Sequence, residues 1–298
     1  MALNLIKKTL KILEKYNLKY TINTNGTLIT KDVVEVFKAY DFNVTISLDG
    51  FKMIHDTNRK VLGYKGSYDL VIKSINLLKE NNIKFIIEAT FHPNNLLNGT
   101  TPYKVALYLS KFSKIFTIGL ASNFSTNIER IQEDLHEIAI IYLGDYLVRS
   151  LYELVKDNPL YIEDAIYRFV SMITNGVFTP FRCHFFRMLS VTPNGDIYPC
   201  NLLITELKGR IGNIMSNSLK EITDNYQKLV RKMLSEVLIE DYPEYLFEFC
   251  PLEEALRSKP RVKHILRIIY DNLLLTLYEI IKTDKLFLIK ENLEKFKK

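Results

Sequence analysis

Apolar positions in the first 121 residues alternate between two spacings. Leu5, Ile6, Leu10 and Leu13 recur at helical intervals, and residues 20–24 read as a strand closed by Asn25-Gly26. Thr30 is placed to N-cap a helix whose apolar face is Val33, Val34, Phe37 and Tyr40. Residues 44–48 predict a second strand ending at Asp49-Gly50, and a polar loop follows. Gly66-Ser67 then precedes a helix that sets Val71, Ile75 and Leu78 on one side. Residues 85–90 predict a third strand, 103–112 a helix and 116–120 a fourth strand. Strand and helix in this rhythm predict a parallel sheet covered by helices. Such sheets place ligand sites at the carboxyl ends of their strands. Polar residues gather there: Asn23 and Asn25, Ser47 and Asp49, Glu88, then Ser122 and Asn123.

The rhythm then changes. Residues 122–180 read as mainly helical, with long periodicity over 131–155 and no catalytic signature. Residues 189–193 and 196–198 flank Asn194-Gly195, which predicts a hairpin with a type I′ turn. Cys183 precedes that hairpin and Cys200 follows it. Residues 210–214 predict another short strand, and Ser218 with Glu221 a capping box for a helix through residue 234. Cys250 follows an aromatic stretch over 242–249, and the chain closes in helix from about residue 262. The expected division is 1–121, a helical connector 122–180, a small domain 181–256 and a helical segment 257–298.

Composition narrows the function classes. With 298 residues, 47% hydrophobic and 25% charged, the chain is of globular type and long enough for a sizeable core. Its net charge of +6 is diffuse, so no nucleic acid is expected as a partner. The most apolar stretch, residues 265–281, is broken by Arg267, Asp271 and Glu279, so no membrane span is expected either. Lys7 and Lys8 come too soon for a secretory signal. Three widely spaced cysteines argue against a disulfide framework and for a reducing cytoplasm.

Several motifs occur in order. They are Thr21-Ile22-Asn23-Thr24-Asn25-Gly26-Thr27-Leu28, Ile46-Ser47-Leu48-Asp49-Gly50, His55-Asp56-x-x-Arg59 and Gly66-Ser67-Tyr68. Together they resemble the middle of the radical S-adenosylmethionine (SAM) barrel. The branch is the one with a C-terminal SPASM or twitch domain, which includes anaerobic sulfatase-maturing enzymes and peptide maturases. Cys183, Gly195, Cys200 and the run Ile211-Gly212-Asn213-Ile214 resemble the opening of that domain. The fold implied is α/β: an incomplete parallel (β/α) barrel, a small α+β SPASM/twitch-like domain and C-terminal helices. The family also carries a Cys-x3-Cys-x2-Cys loop, whose thiolates hold a [4Fe-4S] cluster, and a glycine- and glutamate-bearing motif that meets the SAM amino group. This sequence has neither, and its three cysteines all follow residue 180.

The resemblance implies that Asn23, Ser47 and Arg59 line a SAM pocket, Arg59 meeting the methionine carboxylate through a charge-assisted fork. The alternative is local structure, with Arg59 paired to Asp56. Cys183, Cys200 and Cys250 are the candidate metal ligands, for one auxiliary [4Fe-4S] cluster or for zinc. His184 is a candidate fourth ligand, and the alternative is plain buried cysteine. His55 and Asp56 are expected to order a loop; Glu88 faces either a site or solvent. No catalytic residue is assigned. The implied function is peptide or protein modification begun by a SAM-derived radical, by a chain not self-sufficient for it. The alternative is a non-catalytic module that binds a peptide or partner on the same scaffold. Residues 20–24 would form an exposed sheet edge, which calls for a partner chain, a homodimer or poor solubility.

Overall fold

The computed structural model describes residues 3–63, 65–121, 130–164, 166, 167, 170, 188–204, 209–237, 260–283, 285, 287–289, 291 and 292. The chain divides into two compact units, Met1–Ser171 with Arg261–Lys298, and Met172–Pro260.

The first unit begins with α1 (Leu3–Leu13), β1 (Thr21–Thr24), α2 (Lys31–Ala39) and β2 (Asn43–Ser47). It continues through α3 (Lys52–Asn58), α4 (Tyr68–Glu80), β3 (Phe85–Phe91), a 3-10 turn (Pro93–Asn98) and α5 (Pro102–Leu109). Then come β4 (Ile115–Leu120), α6 (Arg130–Glu153) and β5 (Ile162–Glu163). The strands lie in chain order β1-β2-β3-β4-β5, each parallel to its neighbour, as helix-linked crossovers require. This is the helix-covered parallel sheet that the spacing predicts.

Pleating sorts the strand residues onto two faces. Val44, Ile46, Leu48, Ile87, Ala89, Phe91, Phe116 and Ile118 are buried in one cluster with Val33, Val34 and Phe37 of α2, Val71, Ile75 and Leu78 of α4, and Val105, Ala106 and Leu109 of α5. Each large side chain so buried contributes roughly 1.5–3 kcal/mol. Most of the alternate residues are polar: Asn23 and Glu88 are exposed, and Thr45, Ser47, Thr90 and Thr117 are half-buried, with Ile86 and Ile115 the half-buried apolar exceptions. Gly26 turns the chain out of β1 at φ +75°, and a Cβ there would lie 2.6 Å from Ile46 Cδ1. Only glycine meets both demands.

Several local readings are corrected. Leu5 is 64% exposed, so the inward face of α1 runs through Leu10 without it. Thr30 does stand at the N-cap of α2, but its side chain makes no cap; its carbonyl accepts from the amides of Val33 and Val34. The loop expected after Asp49-Gly50 contains α3, which buries only Ile54 and His55. β5 interrupts the region read as helical; at two residues it is too short to show alternation. Ser122 and Asn123 lie outside the described residues. A later helix, Pro260–Lys282, buries Leu273, Leu277 and Ile280. Farther on, Asn292 Nδ2 donates to the carbonyls of Leu154 and Lys156, each at 2.8 Å, and so satisfies groups just past the end of α6. Among the described residues no helix is long and apolar enough to cross a membrane.

The second unit holds an antiparallel sheet of β6 (Ser190–Val191), β7 (Asp196–Tyr198) and β8 (Gly212–Asn213), followed by α7 (Leu219–Val237). The hairpin is present, but its turn is not type I′. The Gly195 amide donates to the Thr192 carbonyl, and Gly195, at φ +82°, is left-handed while Asn194 is not. Pro193 explains this. Its ring fixes a negative φ, so Pro193-Asn194 fill the centre of a type I turn and Gly195 takes the bulge position after it. The capping box forms: the Glu221 amide donates to Ser218 Oγ, and the Ser218 amide to Glu221 Oε2 at 2.7 Å. Those bonds hold the Glu221 carboxyl below its ordinary pKa. Ile197, Ile211 and Ile222 form one small core, and Tyr198, Cys200 and Leu203 another.

Candidate functional site

The open face of the parallel sheet is built in register. Asn23 of β1 stands beside Thr45 of β2. One pleat further on, Ser47, Glu88 and Thr117 line up across β2, β3 and β4, and beyond them Thr90 stands beside Gly119. A Cβ on Gly119 would meet nothing within 4 Å, so this end of the face is open.

At that end the chain assembles a polar knot from residues far apart in sequence. Asp49, almost fully buried, follows β2. Its Oδ1 accepts from the Thr90 amide at 2.9 Å, and its Oδ2 from Arg59 Nε at 2.8 Å. Arg59 caps the end of α3, and its Nη2 reaches Thr90 Oγ1 at 3.3 Å. Among the described residues nothing accepts from Arg59 Nη1. Asn58 Nδ2, one residue earlier, is a buried donor without a partner among the described residues. His55, fully buried, accepts from the Asp49 amide through Nδ1 at 3.2 Å and meets Ser67 Oγ through Nε2 at 2.9 Å. Burial pushes its pKa below the ordinary histidine value, and the same holds for His92, which follows β3.

Three of the residues singled out in the sequence therefore share one face or its rim: Asn23, Ser47 and Arg59. Arg59 does not pair with Asp56. Its partner is Asp49, whose carboxylate the register of β2 and β3 brings under the guanidinium. Asp56 instead accepts from the Tyr68 amide at 2.8 Å and ties α3 to the start of α4. Glu88 is exposed on the open face, between Ser47 and Thr117. Thr90 carries no sequence signal. Asp49 did carry one, as the Asp-Gly at a strand end, but it reads there as a turn residue.

A guanidinium anchored through Nε keeps further N–H groups, and that donor set suits a carboxylate. The metal ligands are a different matter. Cys200 is buried, with its Sγ 3.5 Å from Asn201 Oδ1. Cys183, His184 and Cys250 lie outside the described residues. Among the described residues no three His, Cys, Asp or Glu side chains gather to hold a metal ion.

Residues 1–97 match the radical SAM superfamily, and residues 183–250 match SPASM, an iron-sulfur cluster-binding domain. By these two matches the chain is similar to the radical SAM proteins that carry a SPASM domain. The cysteine-type anaerobic sulfatase-maturating enzyme of Clostridium novyi (strain NT) is 23% identical over 245 residues, covering 74% of this chain and 61% of that one. The serine-type anaerobic sulfatase-maturating enzyme of Bacteroides thetaiotaomicron is 36% identical over 87 residues, covering 28% of this chain and 21% of that one. The solved structure of native anSMEcpe with bound AdoMet superposes with a TM-score of 0.71 at 19% identity, covering 94% of this chain and 80% of that one. The chain spans about three fifths of the length of the Clostridium novyi enzyme.

Proposed function

We propose that this chain binds SAM on the open face of its parallel sheet and takes part in modifying a peptide or protein. The single observation behind the reading is Arg59. Its Nε is held by a buried carboxylate while Nη1 has no partner among the described residues. Such a guanidinium is pre-set to take a carboxylate with little loss of side-chain freedom. Ser47 and Asn23, on the same face, would hydrogen-bond the rest of the ligand. Cys183, Cys200 and Cys250 are the residues that would hold an auxiliary [4Fe-4S] cluster. SAM supplies, with a reduced iron-sulfur cluster, the radical that withdraws hydrogen from a substrate. The protein's own part is to bind, orient and keep water out. The relatives named as sulfatase-maturating enzymes support a protein substrate. A reducing cytoplasm suits both the thiols and that chemistry.

The sequence has no Cys-x3-Cys-x2-Cys loop. We therefore read the chain as dependent on other residues for the cluster that activates SAM. A partner chain or a second copy along β1 is the proposed source of cover for that edge. The same cysteine count also favours the second reading, a binding module without radical chemistry. Titration calorimetry of SAM into the full chain under anaerobic conditions tests the first reading. Arg59→Ala should bind at least about tenfold more weakly than the parent. Equal affinity in the two proteins would remove Arg59 as the anchor. Iron and labile sulfide in the purified chain support the cluster reading; their absence supports the binding module.

A further inference from the structure

The Arg59 side chain and the Arg59 backbone are two ends of one closed ring of hydrogen bonds. The Arg59 carbonyl accepts from Ser67 Oγ at 2.9 Å. Ser67 Oγ stands 2.9 Å from His55 Nε2, and His55 Nδ1 faces the Asp49 amide at 3.2 Å. The Asp49 carboxylate then takes Arg59 Nε at 2.8 Å and closes the ring. The directions of these bonds are fixed by chemistry. A backbone N–H can only donate, so His55 Nδ1 must present its lone pair. The one Ser67 proton goes to the Arg59 carbonyl, so His55 Nε2 must carry the ring proton and donate it.

We infer that His55 is a positioning residue for Arg59, holding the guanidinium through this ring, which stays closed only while the imidazole is neutral. The inference rests on the reading of Arg59 as a ligand anchor, and it assigns the control of that anchor. A second proton on His55 would set Nδ1–H against the Asp49 N–H, and the loop that carries Asp49 would have to move. The charged groups that His55 senses are Asp49 and Asp56, which favour its protonation, and Arg59, which opposes it. The Tyr68 ring approaches edge-on with its centroid 6.0 Å away. Lys52, on the same helix, is occupied by Asp69. Burial outweighs the two acids and lowers the pKa. The sign follows. The neutral ring contributes its full stability above the ordinary histidine value of about 6.5 and loses it as pH falls through the lower folded-state value. His92 senses Asp49 and Arg59 as well and serves as the control.

The test is side-chain 15N NMR of the full chain, following the histidine rings and Arg59 Nε–H from pH 7.5 to 5. His55 should appear as the Nε2–H tautomer at neutral pH. Arg59 Nε–H should exchange at least about tenfold faster once His55 is charged, the equivalent of one lost hydrogen bond. His55→Asn keeps an acceptor near the Nδ1 position and cannot titrate, so it should abolish the acid step; His92→Gln should leave the step in place. If His55→Asn does not fold, Ser67→Ala opens the ring elsewhere and should raise Arg59 Nε–H exchange already at neutral pH. An Nδ1–H tautomer, or an acid step that persists in His55→Asn, overturns the inference. SAM calorimetry on the same samples separates the two readings. Affinity that falls about tenfold with the His55 step supports both. An intact ring response with no SAM binding at any pH removes the ligand reading and leaves the positioning role standing.

Discussion

Ile46, Ile87 and Phe116 are fully buried on one face of the parallel sheet; Ser47, Glu88 and Thr117, each the next residue along, line up on the other. The backbone is common to both, so the difference lies in side-chain chemistry and cover alone. The apolar face meets α2, α4 and α5 and holds the unit together. The polar face is left open and ends in the knot of Asp49, Arg59 and Thr90. Substitutions on the first should therefore unfold the protein, and substitutions on the second should change what it binds.

The most severe test is Phe116→Ala. Phe116 is fully buried and stacks on Tyr161 with ring centroids 5.1 Å apart. Its truncation should cost about 3–5 kcal/mol in denaturant unfolding. A loss below about 1 kcal/mol would mean that this face is not the core. Asp49→Ala comes next, because it strands the charge of an Arg59 side chain that is only 29% exposed. A loss of about 2 kcal/mol is expected, along with weaker SAM binding. If stability falls and SAM affinity does not, the knot is structural only. Gly26→Ala adds a Cβ where φ is positive and Ile46 is close; it should cost about 1–2 kcal/mol on the apolar side without changing ligand affinity. Ser218→Ala is the smallest and acts in the other unit. It removes half of the capping box, for about 1 kcal/mol, read as faster amide exchange in the first turn of α7 alone.

The core was legible because its signals are local. Val33, Val34 and Phe37, or Val71, Ile75 and Leu78, announce a helix face within eight residues of one another, and all of them are buried. What escaped was short or non-local. Lys52–Asn58 shows one buried turn and no periodicity to speak of. Ile162–Glu163 is a strand only because β4 lies beside it. The partner of Arg59 is a matter of register. Asp56 is nearer in sequence, yet α3 turns it toward Tyr68, while β2 delivers Asp49. Asn194-Gly195 misled for another reason, since the neighbouring proline overrode a dipeptide rule. Asn23, Ser47 and Arg59 were thus visible as residues, while the knot that anchors Arg59 depends on contacts that no window of sequence contains.

Asn292 has a consequence for the order of synthesis. Its side chain closes the carbonyls of Leu154 and Lys156, which leave the ribosome 136 or more residues earlier. All of Met172–Pro260 is translated in between. The unit begun first is therefore finished last, and a nascent chain must carry those carbonyls hydrated until Asn292 arrives.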